Sequence, residues 1–169
     1  MARLMLVAPL EFDPIARAGD LWDERIGDAT SMRLATSIMR VQQLVIAGLE
    51  AALKPHGITF ARYEVLRLIS FSRDGYLPLS KIGERLMVHP TSVTNAIDRL
   101  ESQGLVQRET DPEDRRRVLA SLTPQGRAVL DAATDTLMEV DFGVGSIPAA
   151  QQQALYEALT PLRSRDFEV

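Results

Sequence analysis

The chain contains no cysteine. That excludes disulfide scaffolding, thiolate zinc sites and thiol redox chemistry, and it points to the cytosol. Its two histidines, His56 and His89, belong to no HExxH-like spacing, and there is no glycine-rich phosphate loop or GxSxG elbow. Hydrolytic and nucleotide-dependent chemistry therefore lack their usual residues, and neither an enzyme nor a cofactor is expected. No apolar run approaches the roughly 20 residues that span a bilayer. Leu4 to Ala8, after Arg3, imitates the start of a signal peptide but is too short and runs straight into Glu11 and Asp13. Lysine is nearly missing: Lys54 and Lys81 stand alone, so arginine carries almost all the positive charge. A GC-rich genome would give the same usage.

What is present describes a globular chain. Its 169 residues, 46% hydrophobic and 25% charged, allow one domain with a proper core, or a small domain plus dimerisation helices. The formal net charge of −4 does not exclude a nucleic-acid partner, because phosphates respond to the local field and not to the sum.

Residues 1 to 28 lack clean periodicity and read as an N-terminal arm, with a short helix including Ile15, Leu21, Trp22 and Ile26. Trp22 either packs against a partner subunit or walls a ligand pocket. From Thr30 to Leu53 the pattern is strongly helical: Leu34, Ile38, Val41, Val45, Gly48 or Leu49, and Ala52 share a face, which Leu44 and Ile46 widen. A helix apolar over so much of its circumference needs more than one partner, and a second subunit is the natural one. Lys54-Pro55-His56-Gly57 ends it. Thr59 is placed to cap the next helix, whose Tyr63, Leu66 and Ile69 face the core, and Tyr76 to Leu79 reads as a short strand added to the wing hairpin. Thr123 and Pro124 start a further long helix with Val129, Leu130, Ala133 and Leu137 on one side, broken at Phe142 to Ser146. Pro148 opens the last helix, which Pro161 should kink or end near Thr160.

The stretch Leu79 to Leu122 carries the chemistry. Ser80 is expected to cap a first short helix in which Ile82 and Leu86, four apart, share a buried face. Pro90 begins a second, which buries Val93, Ala96, Ile97 and Leu100 and shows Thr91, Ser92, Thr94, Asn95 and Arg99. That exposed set is small, polar and hydrogen-bonding, as entry to a major groove demands. Asp98 has the plainer expectation of a salt bridge. Gly104 stops the helix, and Leu105–Thr110 and Val118–Leu122 read as paired strands around Asp111-Pro112 and an arginine cluster, Arg115-Arg116-Arg117. Asp111, Glu113 and Asp114 could suggest a cation site, which the three arginines oppose.

The run LSKIGERLMVHPTSVTNAIDRLESQGLVQRETDPEDRRRVLASLTPQG, with the wing pattern Asp114-Arg115-Arg116 and the following Leu122-Thr123-x-x-Gly126, resembles the MarR family of bacterial transcription regulators. With GITFARYEVLRLISFSRDG and the flanking helices, the resemblance covers residues 30 to 165. It implies a mainly α fold with a small β-wing: a winged helix-turn-helix DNA-binding lobe (57–123) and a helical dimerisation region (29–56 and 124–165). The implied protein is a cytoplasmic, homodimeric, ligand-responsive repressor on double-stranded DNA. The alternative is a winged-helix module that binds another protein. Expected DNA contacts are Lys81, Thr91, Ser92, Thr94, Asn95 and Arg99, then Asp114, Arg115, Arg116 and Arg117 at the wing. Arg116 is expected in the minor groove, with Asp114 holding it, and Arg115 and Arg117 on the DNA backbone or in strand-edge salt bridges. Relatives are commonly released by small anionic or phenolic effectors, for which Trp22, Arg40, His56 and Arg62 are candidate pocket residues. The urate-responsive branch uses a tryptophan, an acid and an arginine. Trp22 and Glu64 match the first two, but Ala96 falls where the arginine would, which argues against urate.

Overall fold

The computed structural model describes residues 10–164; the stretch Leu4 to Ala8 lies outside them. The chain falls into two compact units, divided after Leu44.

In the first unit, Asp13 accepts from the amides of Ile15 and Ala16 and so starts α1 (Pro14–Arg25). Asp28 accepts from the Thr30 amide and hydroxyl at the start of α2 (Thr30–Leu53). Arg33 joins the two helices, pairing with Asp20 at 2.8 Å and Asp23 at 2.6 Å. The Arg33 hydrogen bond, then the Ala29 amide, hold the Asp23 carboxyl below its ordinary range. Buried Gly19 leaves room for this, because a Cβ there would strike the Arg33 side chain.

The second unit contains the core, to which the C-terminal end of α2 contributes Leu49 and Leu53. Gly57, at φ 71°, turns the chain out of a 3-10 segment at Lys54–His56. Thr59 then caps α3 (Phe60–Ser70) by accepting from the Arg62 amide, and Glu50 on α2 accepts from the Phe60 amide. As its spacing predicts, α3 buries Tyr63, Leu66 and Ile69. The strands β1 (Tyr76–Pro78), β2 (Val106–Thr110) and β3 (Val118–Leu122) form one antiparallel sheet in the order β1-β3-β2. Between them run α4 (Leu79–Leu86) and α5 (Pro90–Ser102). Two expectations need correction here. Pro78, not Ser80, occupies the N-cap of α4, and no side chain caps it; Ser80 already lies inside the first turn. The second strand begins at Val106, because the Leu105 carbonyl accepts from the Thr123 amide at the root of the hairpin.

Thr123 caps α6 (Pro124–Glu139), whose Leu130, Ala133 and Leu137 are fully buried. Asp141, Phe142 and Gly143 all take positive φ, so the helix stops by turning left-handed. Then α7 (Ala149–Ala158) gives way at Leu159 to α8 (Thr160–Arg163), the break that Pro161 dictates. No described helix is long and apolar enough to cross a membrane.

Candidate nucleic-acid interface

The interface is built on α5. Val93, Ile97 and Leu100 are buried, each contributing about 1.5–3 kcal/mol by leaving water, and they fix which side faces out. Thr91, Ser92, Thr94, Asn95, Asp98 and Arg99 are left exposed. Pro90 takes the first helical position, and the residue before it has a role that sequence reasoning missed: the His89 Nδ1 accepts from the Thr91 amide at 3.2 Å. The clue was its place immediately before a proline at a helix start. Gly83 lets α4 approach α5, since a Cβ there would sit 3.3 Å from Val93.

Of the expected backbone-gripping cations, Lys81 is paired with Glu84 at 2.6 Å on the same helix. Arg99 has no ion pair among the described residues and lines an open groove with Arg62, Asn95 and Asp98. Asp98, expected in a salt bridge within its own helix or between lobes, instead pairs with Arg108 on β2 of the same lobe at 2.7 Å. Arg108, its side chain 30% exposed, also pairs with Glu101. These bonds, Glu101's first, raise the guanidinium pKa further and tie α5 to the wing strand. Nothing in the local sequence marks Arg108 for this, because the pairing needs the α5–β2 register.

The wing loop is organised by two aspartates. Asp111, 7% exposed, accepts from the Glu113 amide at 2.9 Å and pairs with Arg117 at 3.2 Å, while its own amide donates to the Arg117 carbonyl. A residue that reads as turn chemistry is thus a buried clasp at the loop's neck. Asp114 Oδ1 accepts from the Arg116 amide at 3.0 Å and from its Nε at 3.2 Å. Both bonds, the backbone one first, lower the Asp114 pKa. Arg116 remains 91% exposed, so the loop fixes the near end of a guanidinium whose terminal nitrogens point to solvent. Arg115 is exposed and has no ion pair among the described residues. No group of three or more acidic, histidine or cysteine residues among them could hold a metal.

The candidate effector residues are dispersed over both units. Trp22 and Arg40, the latter bonded to Gln43, belong to the first; His56, its Nε2 2.9 Å from Thr136 Oγ1, and Arg62 belong to the second.

A polar recognition-type helix after a short helix and turn, tied to a hairpin with an arginine at its tip, defines a winged-helix DNA-binding protein. The chain belongs to the MarR family of transcriptional regulators, whose model matches residues 58–118. It is 50% identical to Sco5413, a MarR family transcriptional regulator from Streptomyces coelicolor, over 82% of this chain and 98% of that one, with a TM-score of 0.76. The C80S mutant of MarR from Escherichia coli, in its complex with operator DNA, matches at 27% identity over 85% of this chain and 98% of that one, TM-score 0.70. The uncharacterized HTH-type transcriptional regulator YkoM of Bacillus subtilis is 42% identical over 78 residues, 46% of this chain and 49% of that protein, so the match spans about half of YkoM.

Proposed function

We propose that the protein is a ligand-responsive homodimeric repressor that binds an inverted-repeat operator. Residues 57–123 act as the reading lobe, 29–56 and 124–165 as the dimerisation region, and 1–28 as an arm. In this reading α5 enters the major groove, where Thr91, Ser92, Thr94 and Asn95 meet base edges and adjacent phosphates while Arg99 and Lys81 hold the backbone. Arg116 enters the minor groove, drawn by its concentrated negative potential; Arg115 flanks it on phosphate, while Arg117 is engaged in its salt bridge with Asp111.

The observation that carries this reading is the presentation of Arg116, anchored by Asp114 and otherwise in solvent. An arginine already ordered loses less rotamer freedom on binding than a free one. Dimerisation is supported by large exposed apolar side chains: Leu34, Val41 and Leu44 on α2, and Leu155, Leu159 and Leu162 in the C-terminal helices. A twofold pair of reading lobes then matches half-sites about one helical turn apart. The effector is a small anionic or phenolic molecule, with Trp22, Arg40, His56 and Arg62 as its first candidates, and it acts by favouring a lobe spacing that cannot span both half-sites.

The test is fluorescence anisotropy on the DNA upstream of the protein's own reading frame. Wild type should bind with an affinity that falls steeply with salt, and Arg116→Ala should bind more weakly with a shallower salt slope. Undiminished binding by the variant at moderate salt would sink the wing assignment.

A further inference from the structure

The turn between α4 and α5 is apolar where it meets solvent. Met87 is 68% exposed and Val88 42% exposed, side by side. Met87 also takes the left-handed conformation, φ 54° and ψ 40°, at the C-cap of α4, a place where glycine or asparagine is the unstrained choice. A large side chain is thus held in solvent on a backbone that disfavours it, and local strain of this kind concentrates at functional sites. The two residues border a concavity of about 560 Å³ whose other walls are Leu79, Pro90 and Val93 together with the polar Ser80, Glu84 and Thr94. Pro90 and Thr94 belong to the first turns of α5, so this apolar surface is continuous with the face that shows Thr91 and Thr94. Its floor is fixed by the close approach of Gly83 to Val93 and to the Val88 carbonyl.

We infer that the Met87–Val88 tip reads thymine C5-methyl groups at the edge of the operator's major groove. The inference rests on the docking of α5 proposed above. The thymine methyl is the one alkyl group on the major-groove floor, where the other features are hydrogen-bond donors and acceptors and the small C5–H of cytosine. Once α5 lies in the groove, an apolar tip beside its N-terminus meets either a methyl or a polar edge that it desolvates without compensation. The thioether side chain suits the first case, being long and adaptable enough to cover a methyl without fixed geometry. Thr91 and Asn95 then supply polar readout, and the turn supplies methyl readout beside them.

The experiment uses the full-length protein and a duplex selected by it from a random pool. Each thymine of one half-site, and its symmetry mate, is replaced by deoxyuridine, which removes the methyl and nothing else. At one or two positions wild type should lose about fourfold in affinity per buried methyl, hence about fifteenfold for a symmetric pair. Met87→Asn, chosen because asparagine tolerates the left-handed backbone, and Val88→Ser, which removes both methyls of the side chain, should bind the thymine duplex more weakly. Their affinity should change less than twofold on deoxyuridine substitution, with melting temperatures close to wild type showing that they fold. Wild-type affinity unchanged by deoxyuridine at every position, or a selected site without thymine, overturns the inference and leaves the proposed function intact. Variants that still respond to methyl removal as wild type does overturn it equally. Failure of the wild-type protein to select any duplex would instead overturn the proposed function and the inference together.

Discussion

Replacing Gly126 with alanine sets two physical effects against each other. By helix propensity alone the change is favourable by at most about 1 kcal/mol. Space opposes it. A Cβ at this position would lie 2.8 Å from the Leu105 carbonyl carbon and nearer still to its oxygen, well inside the roughly 3.5 Å at which non-bonded carbons sit comfortably. The obstacle is backbone, so no rotamer change relieves it; α6 must move away from the start of β2. Movement loosens the bond from the Thr123 amide to the Leu105 carbonyl, and those linking the Thr123 hydroxyl to the Gly104 carbonyl and the Gly126 amide. Overpacking of this kind costs about 1–3 kcal/mol, and a lost threonine cap about 1 more. Space therefore wins, by about 3 kcal/mol at the upper end, a drop of roughly 6–12 °C in Tm for a chain of this length. Thermal unfolding followed by circular dichroism, with a urea titration alongside, measures it. A variant that melts at or above wild type would refute the tight seating of α6 on Leu105.

Two further changes probe the reading elements. Arg108→Met keeps the aliphatic stem but removes both ion pairs to α5; since the pairs are partly exposed, the Tm should fall only slightly, each pair being worth about 0.2–1 kcal/mol. Operator affinity should fall roughly 2- to 10-fold, the cost of ordering helix and wing against each other on binding, and an anisotropy titration showing no loss would refute the coupling. The Asp114 carboxyl has a lowered pKa in the folded protein, so its contribution to wing order is fully present above the unfolded value and is lost only as pH falls through the folded one. Carbon-detected NMR should therefore show Asp114 still ionised at the ordinary aspartate value of 3.8, and a midpoint at or above that value would contradict the Arg116 contacts.

Much of this architecture was legible because proline and threonine mark helix starts without reference to the rest of the chain. Thr59, Pro90, Thr123 and Pro124 each do what local stereochemistry demands. The wing strands followed from the turn residues between them, and the Asp114–Arg116 contact was implied by the resemblance of the wing motif. Ser80 misled because a capping residue is recognised only once the helix boundary is known, and Pro78 moved that boundary upstream. The Arg108 clamp, buried Asp111, the seat beneath Gly126 and the strained Met87 were illegible for a common reason. Each depends on which segments the fold brings together or on a backbone angle, and neither is written in periodicity.

The knot at Thr123 has a consequence for how the wing can diversify. Entry to β2 and exit from β3 are fastened to each other at Gly104, Leu105 and Thr123, and the neck is fastened again at Asp111 and Arg117. The residues between Asp111 and Arg117 are therefore a cassette, closed at its mouth before any tip residue is considered. Doubling the length of such a loop costs only about 0.6 kcal/mol in closure entropy. Tips of different length and charge can be exchanged on one unaltered root, so in the proposed reading the wing's groove preference would drift between paralogues while α5 stays fixed.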